Sequence, residues 1–368
     1  MATVSRRDAL LALGAAAGLA ACGSGGGSGS AASGGNYRKL GVAIAGVGGV
    51  VTRDVIPAIK RSDHCRLAGF VSSGADKLQS LGKQFDVPET GLYTYEQFDR
   101  IVDNRDIDLV YIALPNALHA EYTVRAARAG KHVLCEKPMA VTVEQCEQMI
   151  EACGQANRAL AVAYRLHYSP HHQQLIRSVR EKEIGEVQIV RADIGYPMRG
   201  DGGWRLKREL AGGGVLLEQG VYPVYSARTL MGAEPVEVLG YESRSDRKRF
   251  AEVDETVSWS MRFANGAVAH CAASYTVPAN RVWAGGSSGW FALDDAYSLD
   301  DIEASTHKGG MRIGQVDQFV LQLDNLSRLI QDGKPPGAGI SGMDGLRDVR
   351  IISAIYESIR AGKVVQLT

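Results

Sequence analysis

The sequence predicts an α/β protein built as an N-terminal doubly wound domain and a C-terminal α+β domain with a large open mixed or antiparallel sheet. Three observations predict it. Apolar, strand-like runs alternate with helix-like stretches from residue 40 to about residue 165. Those runs lack polar alternation, the mark of parallel strands covered on both faces. Beyond residue 165 the runs lengthen, crowd together and alternate polar with apolar residues, as in a sheet with one solvated or partner-facing side.

Element by element, "LGVAIAGVGGVV" (40–51) is a β-branched run ending in glycines, and "RDVIPAIK" continues with helical spacing. "CRLAGFVSS" is a second strand and "ADKLQSLGKQF" a second helix. "DLVYIALP" is a buried strand, and "HAEYTVRAARAG" a helix closed by Gly130. "HVLCEKP" is a strand, "TVEQCEQMIEACGQAN" a helix and "ALAVAYR" the last strand of the first domain. In the second domain "EVQIVRADIGY", "PVEVLGYES", "TVSWSMRF" and "AVAHCAASYTV" read as strands. Two helices follow, at roughly 315–332 and 342–361. The second opens with a capping box from Ser341 to Asp344. These readings place the dinucleotide-binding domain at 38–164 and the substrate and oligomerisation domain at 165–368. The last helices are expected to pack back on the first domain.

The N-terminus is a targeting segment. Arg6 and Arg7 precede a short run of Ala, Leu and Gly that is too short and small-sided for a spanning helix. Paired arginines after Ser5 resemble a twin-arginine export signal, which implies a periplasmic protein. "LAAC" ends at Cys22 and resembles a lipoprotein cleavage box, so residues 1–22 are an export signal and Cys22 a site for a lipid anchor. Cleavage by an ordinary signal peptidase is the alternative. Residues 23–37 are a Gly/Ser tether.

Lys plus Arg and Asp plus Glu both number 41, so the net charge is zero and gives no reason to expect nucleic-acid binding. The basic run "RSDRKRF" (244–250) reads as a solvated loop. Six cysteines show no CxxC pair and no metal-ligand spacing, so no metal site is expected. Apolar neighbours favour buried free thiols.

The turn after the first strand carries Gly46, Val47 and Gly48. Gly46 permits a tight turn, and Gly48 lets backbone approach a pyrophosphate at a helix N-terminus. The sixth position of this Rossmann fingerprint is Val51, not Gly or Ala. An acidic residue at the end of the second strand would bind the ribose of NAD. Ser72 and Ser73 stand there instead, with Lys77 close behind. Hydroxyls and a cation suit a 2′-phosphate, so NADP is favoured.

"EKP" after a strand, "LPNALHAE" before it and the mixed-sheet second domain resemble the glucose–fructose oxidoreductase, inositol dehydrogenase and rhizopine-catabolism family. "AVAYRLHYSP", "WRLKRELAGGG" and "EQGVY" are similar to its glucose–fructose oxidoreductase branch, which includes aldose–aldose oxidoreductases. The likeness runs over about residues 38 to 366. It implies that Lys137 sits beside the nicotinamide and the reacting sugar hydroxyl, and that Glu136 holds the cofactor. Pro115, Asn116 and His119 would line the nicotinamide-ribose side. Arg165, Trp204 and Arg205 would close over the cofactor. Tyr222 would be the acid/base, where many relatives carry histidine. Glu218 would meet the sugar and stands where the branch has aspartate; from the cluster "LHYSPHH", Tyr168 or His167 is a candidate to line the sugar pocket, with surface residues at a helix start as the alternative. The branch's proline-rich arm has no counterpart ahead of the fold, only the Gly/Ser tether.

The chemistry stands on its own residues too. An aldose losing hydride from C1 must also lose the C1 hydroxyl proton. A tyrosine, with an ordinary pKa near 10, becomes a useful base when an adjacent cation stabilises its phenolate. The expectation is an exported sugar oxidoreductase retaining NADP, oxidising an aldose to the lactone and reducing a second sugar to an alditol by ping-pong hydride transfer. The alternatives are a conventional sugar or inositol dehydrogenase, an NAD-dependent glycosidase, and a non-catalytic sugar-binding lipoprotein. Association as a homodimer through the second sheet is expected by fold analogy.

Overall fold

A computed structural model describes residues 38–367. The export signal, Cys22 and the tether lie outside the described residues. Strands β1 (Leu40–Ala45), β2 (Cys65–Val71), β3 (Leu92–Tyr93), β4 (Leu109–Ile112), β5 (His132–Cys135) and β6 (Leu160–Val162) form one parallel sheet, in the order β3-β2-β1-β4-β5-β6. The order reverses at β1, which opens a crevice at the strands' carboxyl ends. Every residue of β1 and β4 is buried, as expected of strands covered on both faces.

Helices α1 (Ile56–Arg61), α2 (Ala75–Phe85), α3 (His119–Arg128) and α4 (Val143–Gln155) make the crossovers. Thr142 caps α4, its side chain accepting from the Gln145 N–H at 3.2 Å. The chain then passes through α5 (Pro170–Arg180), β7 (Val187–Gly195), two short helices α6 (Arg208–Ala211) and α7 (Val215–Glu218), and α8 (Val221–Met231).

The second sheet has nine strands. To β7 it adds β8 (Pro235–Ser243), β9 (Thr256–Phe263), β10 (Val268–Ser274), β11 (Ala279–Gly286), β12 (Gly289–Asp294), β13 (Glu303–Thr306), β14 (Gly309–Met311) and β15 (Val365–Gln366). Their order is β14-β13-β12-β11-β7-β10-β9-β8-β15, with only the β7–β10 pair parallel. On β9, Val257, Trp259, Met261 and Phe263 point into the core while Ser258 and Arg262 face outward. Strands β11 to β15 are additions to the sequence expectation. They are short or rich in glycine, so their period-two signal is weak.

Helix α8 is buried nearly all round, and its sequence is apolar nearly all round to match. Arg228 on this helix is buried and faces three carboxylates: Asp348 at 3.2 Å, Asp344 at 3.5 Å and Glu234 at 2.9 Å. Tyr164, just past β6, donates to Asp348. One network thereby joins the first domain, α8 and the last long helix.

That helix, α10 (Gly342–Ala361), begins with the capping box of Ser341 and Asp344. Before it, α9 (Gln318–Gln331) lies against the first domain. Ser62 donates to Asp324 at 2.5 Å and Arg61 pairs with Asp317 at 2.5 Å. Cys65, Cys135, Cys146, Cys153 and Cys271 are buried free thiols.

Candidate active site

The crevice beyond β1, β4 and β5 holds a cleft of about 440 Å³. The glycine turn forms one wall. Gly46 has φ +90°, and a Cβ there would lie 2.5 Å from the Ala113 carbonyl oxygen, so only glycine fits. A Cβ on Gly48 or Gly49 would meet nothing within 4 Å. Both face the cleft and leave their backbone bare to a ligand. Val51, at the fingerprint's sixth position, is buried in the core and opens a π-helical turn, Val51–Val55. Lys77, in the first turn of α2, donates to the Val47 carbonyl at 3.4 Å, which brings cation and glycine turn together. The Ser72 hydroxyl is buried with no partner among the described residues. It is a polar group that a ligand oxygen would satisfy. These features fit a dinucleotide carrying a 2′-phosphate.

A substitution tests that fit. Gly48→Val adds a side chain where the protein leaves space and a pyrophosphate would stand. NADP affinity is expected to fall by roughly ten- to a hundredfold, the size of an overpacking penalty. The melting temperature of the ligand-free protein should not move. Titration and thermal melting read the two separately; unchanged affinity would place the pyrophosphate elsewhere.

The opposite wall starts from β5. It delivers Glu136 and Lys137 to the cleft, and the Lys137–Pro138 peptide is cis. Glu136 is held from behind: Tyr111 donates to it at 2.6 Å and the Lys137 N–H at 3.2 Å. Lys137 Nζ lies 4.5 Å from the centre of the Tyr222 ring and donates to the Glu218 carbonyl at 3.0 Å. Tyr222 stands in the first turn of α8. Its hydroxyl makes no hydrogen bond to another described residue, which leaves it to a ligand. The Arg165 guanidinium lies 5.4 Å from the same ring and donates to Gln318 at 3.0 Å and to the Tyr297 carbonyl. Trp204 and Arg205 complete the wall, stacked on each other at 4.6 Å.

Other expected residues take different places. Asn116 lines the cleft and donates to the Ala211 carbonyl at 3.0 Å, while Pro115 only precedes its 3-10 turn. His119 touches the cleft, but its two ring nitrogens face the Pro138 and Leu114 carbonyls, both at 2.9 Å. Burial lowers its pKa. It braces the loop after β4 against the turn after β5. Tyr168 corrects its expectation: it is buried beneath the site, and its hydroxyl donates to Asn325 at 3.2 Å instead of reaching the cleft. Glu218 lines the cleft, yet its carboxylate is taken by Arg205 and Tyr275.

The histidines near residue 170 are structural. Burial pushes His167 down to about 4 and His172 to about 3. The bare run Gly212–Gly214 packs against protein: a Cβ on Gly214 would lie 2.2 Å from the Asp254 carbonyl oxygen. Asp254 accepts the Gly214 and Leu216 N–H groups, each at 2.8 Å, and so fixes the entry to α7. Tyr111, Tyr275, Tyr297 and Gln318 support the site and carry no local sequence motif. Only the folded chain brings them there. Among the described residues no group of three or more His, Cys, Asp or Glu is placed to hold a metal ion.

Residues 40–164 match an oxidoreductase family with an NAD-binding Rossmann fold, and residues 172–292 match the GFO/IDH/MocA C-terminal domain. The chain is 31% identical to a D-xylose 1-dehydrogenase [NADP(+)] of Haloarcula marismortui over 336 residues, 88% of this chain and 92% of that protein. A second D-xylose 1-dehydrogenase (NADP(+)), from Haloferax volcanii, is 27% identical over 88% of this chain and 98% of its own length. Among solved structures, an aldose–aldose oxidoreductase from Caulobacter crescentus, complexed with glycerol, is 43% identical. It covers 90% of this chain and 100% of that one, with a TM-score of 0.86.

Proposed function

The chain belongs to the GFO/IDH/MocA oxidoreductase family, and on that premise we infer that it is an NADP-dependent aldose oxidoreductase. The observation that carries this reading is the Lys137–Tyr222 pair, 4.5 Å apart in a cleft whose other wall is bare glycine backbone. When bound, the nicotinamide cofactor accepts or returns a hydride. The protein handles the proton. Tyr222, as a phenolate, takes it from the C1 hydroxyl of a cyclic aldose, giving the lactone, and in the reverse direction the phenol gives that proton to the carbonyl oxygen of a second sugar. The Lys137 ammonium stabilises negative charge that develops on the phenol oxygen. The bond from Lys137 Nζ to the Glu218 carbonyl fixes the ammonium, so little reorganisation is needed as the proton moves.

The finer reading is an exported, lipid-tethered enzyme that retains NADP and exchanges hydride between two sugars by a ping-pong sequence. Arg6, Arg7, Cys22 and the tether support export, and the identity to an aldose–aldose oxidoreductase supports exchange between aldoses. A homodimer through the outer face of the nine-stranded sheet fits Trp283, which lies with Arg191 beside a hollow of about 450 Å³ on that face.

The test supplies glucose or xylose with added NADP and follows NADPH absorbance and lactone. Lactone and an NADPH signal are both expected, the NADPH rise stopping at the amount of enzyme-bound cofactor where that cofactor is retained. Neither sugar producing either signal would contradict the reading. Cleavage of a chromogenic glycoside without net reduction would favour the glycosidase.

A further inference from the structure

Residues 196–207 link β7 to α6 and carry Trp204 and Arg205 onto the cleft wall. The two ends of this loop are tied down. The Met198 N–H donates to the Tyr275 carbonyl at 2.7 Å, and Arg249 donates to the Met198 and Gly200 carbonyls at 2.8 and 2.9 Å. Beyond the loop, the Arg208 N–H donates to Glu252 at 3.0 Å. Arg249, from the basic run, is thus an anchor.

The middle is held differently. From Asp201 to Leu206 the backbone hydrogen bonds are internal, such as Gly203 N–H to Asp201 at 3.2 Å and Arg205 N–H to the Gly202 carbonyl at 3.3 Å. Among the described residues, one side-chain hydrogen bond leaves this stretch: Arg205 Nε to the Glu218 carboxylate. Leu206 adds apolar packing at its end. Gly200, Gly202 and Gly203 all have positive φ, at 66°, 70° and 56°, and no atom lies within 4 Å of a Cβ on Gly200 or Gly203. A segment fixed at its ends, glycine-rich at its base and tied once in the middle is built to open and close.

The tie is reinforced. The other oxygen of the Glu218 carboxylate accepts the Tyr275 hydroxyl, and the Glu218 carbonyl holds Lys137 Nζ. Glutamate reaches both side-chain partners while its backbone serves the lysine. Aspartate, one methylene shorter, would give up one of them.

We propose that Glu218, backed by Tyr275, is a latch that holds the Trp204–Arg205 segment shut over the dinucleotide and so sets how slowly the cofactor leaves. It rests on the NADP reading above. Glu218 and Tyr275 are positioning residues here: their side chains act through Arg205. A charge-assisted bond ties the segment in the closed state and is lost on opening, so weakening it raises the fraction of time the cleft is open.

The experiment preloads the full-length chain with NADPH and follows the loss of its fluorescence on displacement by excess NADP. Tyr275→Phe is expected to speed release roughly tenfold, and Glu218→Gln by up to about a hundredfold. Glu218→Asp should fall between wild type and Glu218→Gln. The rate of hydride transfer in loaded Tyr275→Phe should stay close to wild type, and the melting temperature of the cofactor-free protein should hold. A merely structural role would lower the melting temperature and leave the release rate alone. Release within twofold of wild type in folded Tyr275→Phe and Glu218→Gln would overturn the latch. If neither variant folds, Arg205→Gln on the half-exposed segment carries the same test. A wild-type chain that binds no NADPH would overturn the NADP reading itself, a result distinct from a latch that fails.

Discussion

Replacing Lys137 with methionine is expected to lower kcat/KM for the aldose by about three orders of magnitude. Methionine keeps most of the stem that lies against Tyr222 and removes the charge. The phenol oxygen then has to take the sugar proton without the cation 4.5 Å from its ring. The Glu218 carbonyl also loses its donor. The side chain lines an open cleft, so the fold should survive. Circular dichroism and NADP titration separate lost chemistry from lost structure. A variant retaining a tenth of wild-type kcat/KM would remove Lys137 from the mechanism.

Tyr222→Phe is expected to lower kcat by roughly 10²- to 10⁴-fold. The ring keeps its seat beside Tyr297, at 5.6 Å between centroids. The hydroxyl leaves no broken bond behind among the described residues, so stability should change little. KM for the sugar should move far less than kcat, because the proton transfer lies in the transition state and not in ground-state binding. The double variant Lys137→Met/Tyr222→Phe should be little worse than either single one, since the two residues act as a unit. Full additivity would mean that they act separately.

The parallel sheet was legible because β1 and β4 are unbroken apolar runs and buried strands need such runs. The capping box at Ser341 was legible because its rule is local. The placement of Lys137 was legible only through the resemblance that "EKP" shares with the other motifs, because a strand-end lysine by itself suits solvent equally well. What escaped has a common physical cause: it depends on partners distant in sequence. Tyr275 reaches Glu218 across 57 positions, and Tyr164 reaches Asp348 across 184. Tyr168 looked like a pocket residue because it follows a motif; its hydroxyl turns to Asn325, on α9, which no spacing reveals. The glycines at 213 and 214 give up the space that Tyr356 and Asp254 fill, partners 143 and 40 positions away that no local pattern reveals. Strands β11 and β12 were hidden by glycines at 285, 286 and 289, which weaken alternation while permitting close packing, and β13 to β15 by their shortness.

The most direct measurement is the absorbance of the exported form, purified without added cofactor, in the NADPH band before and after glucose, and again after a second sugar. The account predicts a rise on glucose and its reversal by the second sugar, the sign of retained NADP passing hydride between two sugars. No change until NADP is supplied, followed by steady NADPH accumulation, would contradict retention and exchange and leave a conventional dehydrogenase.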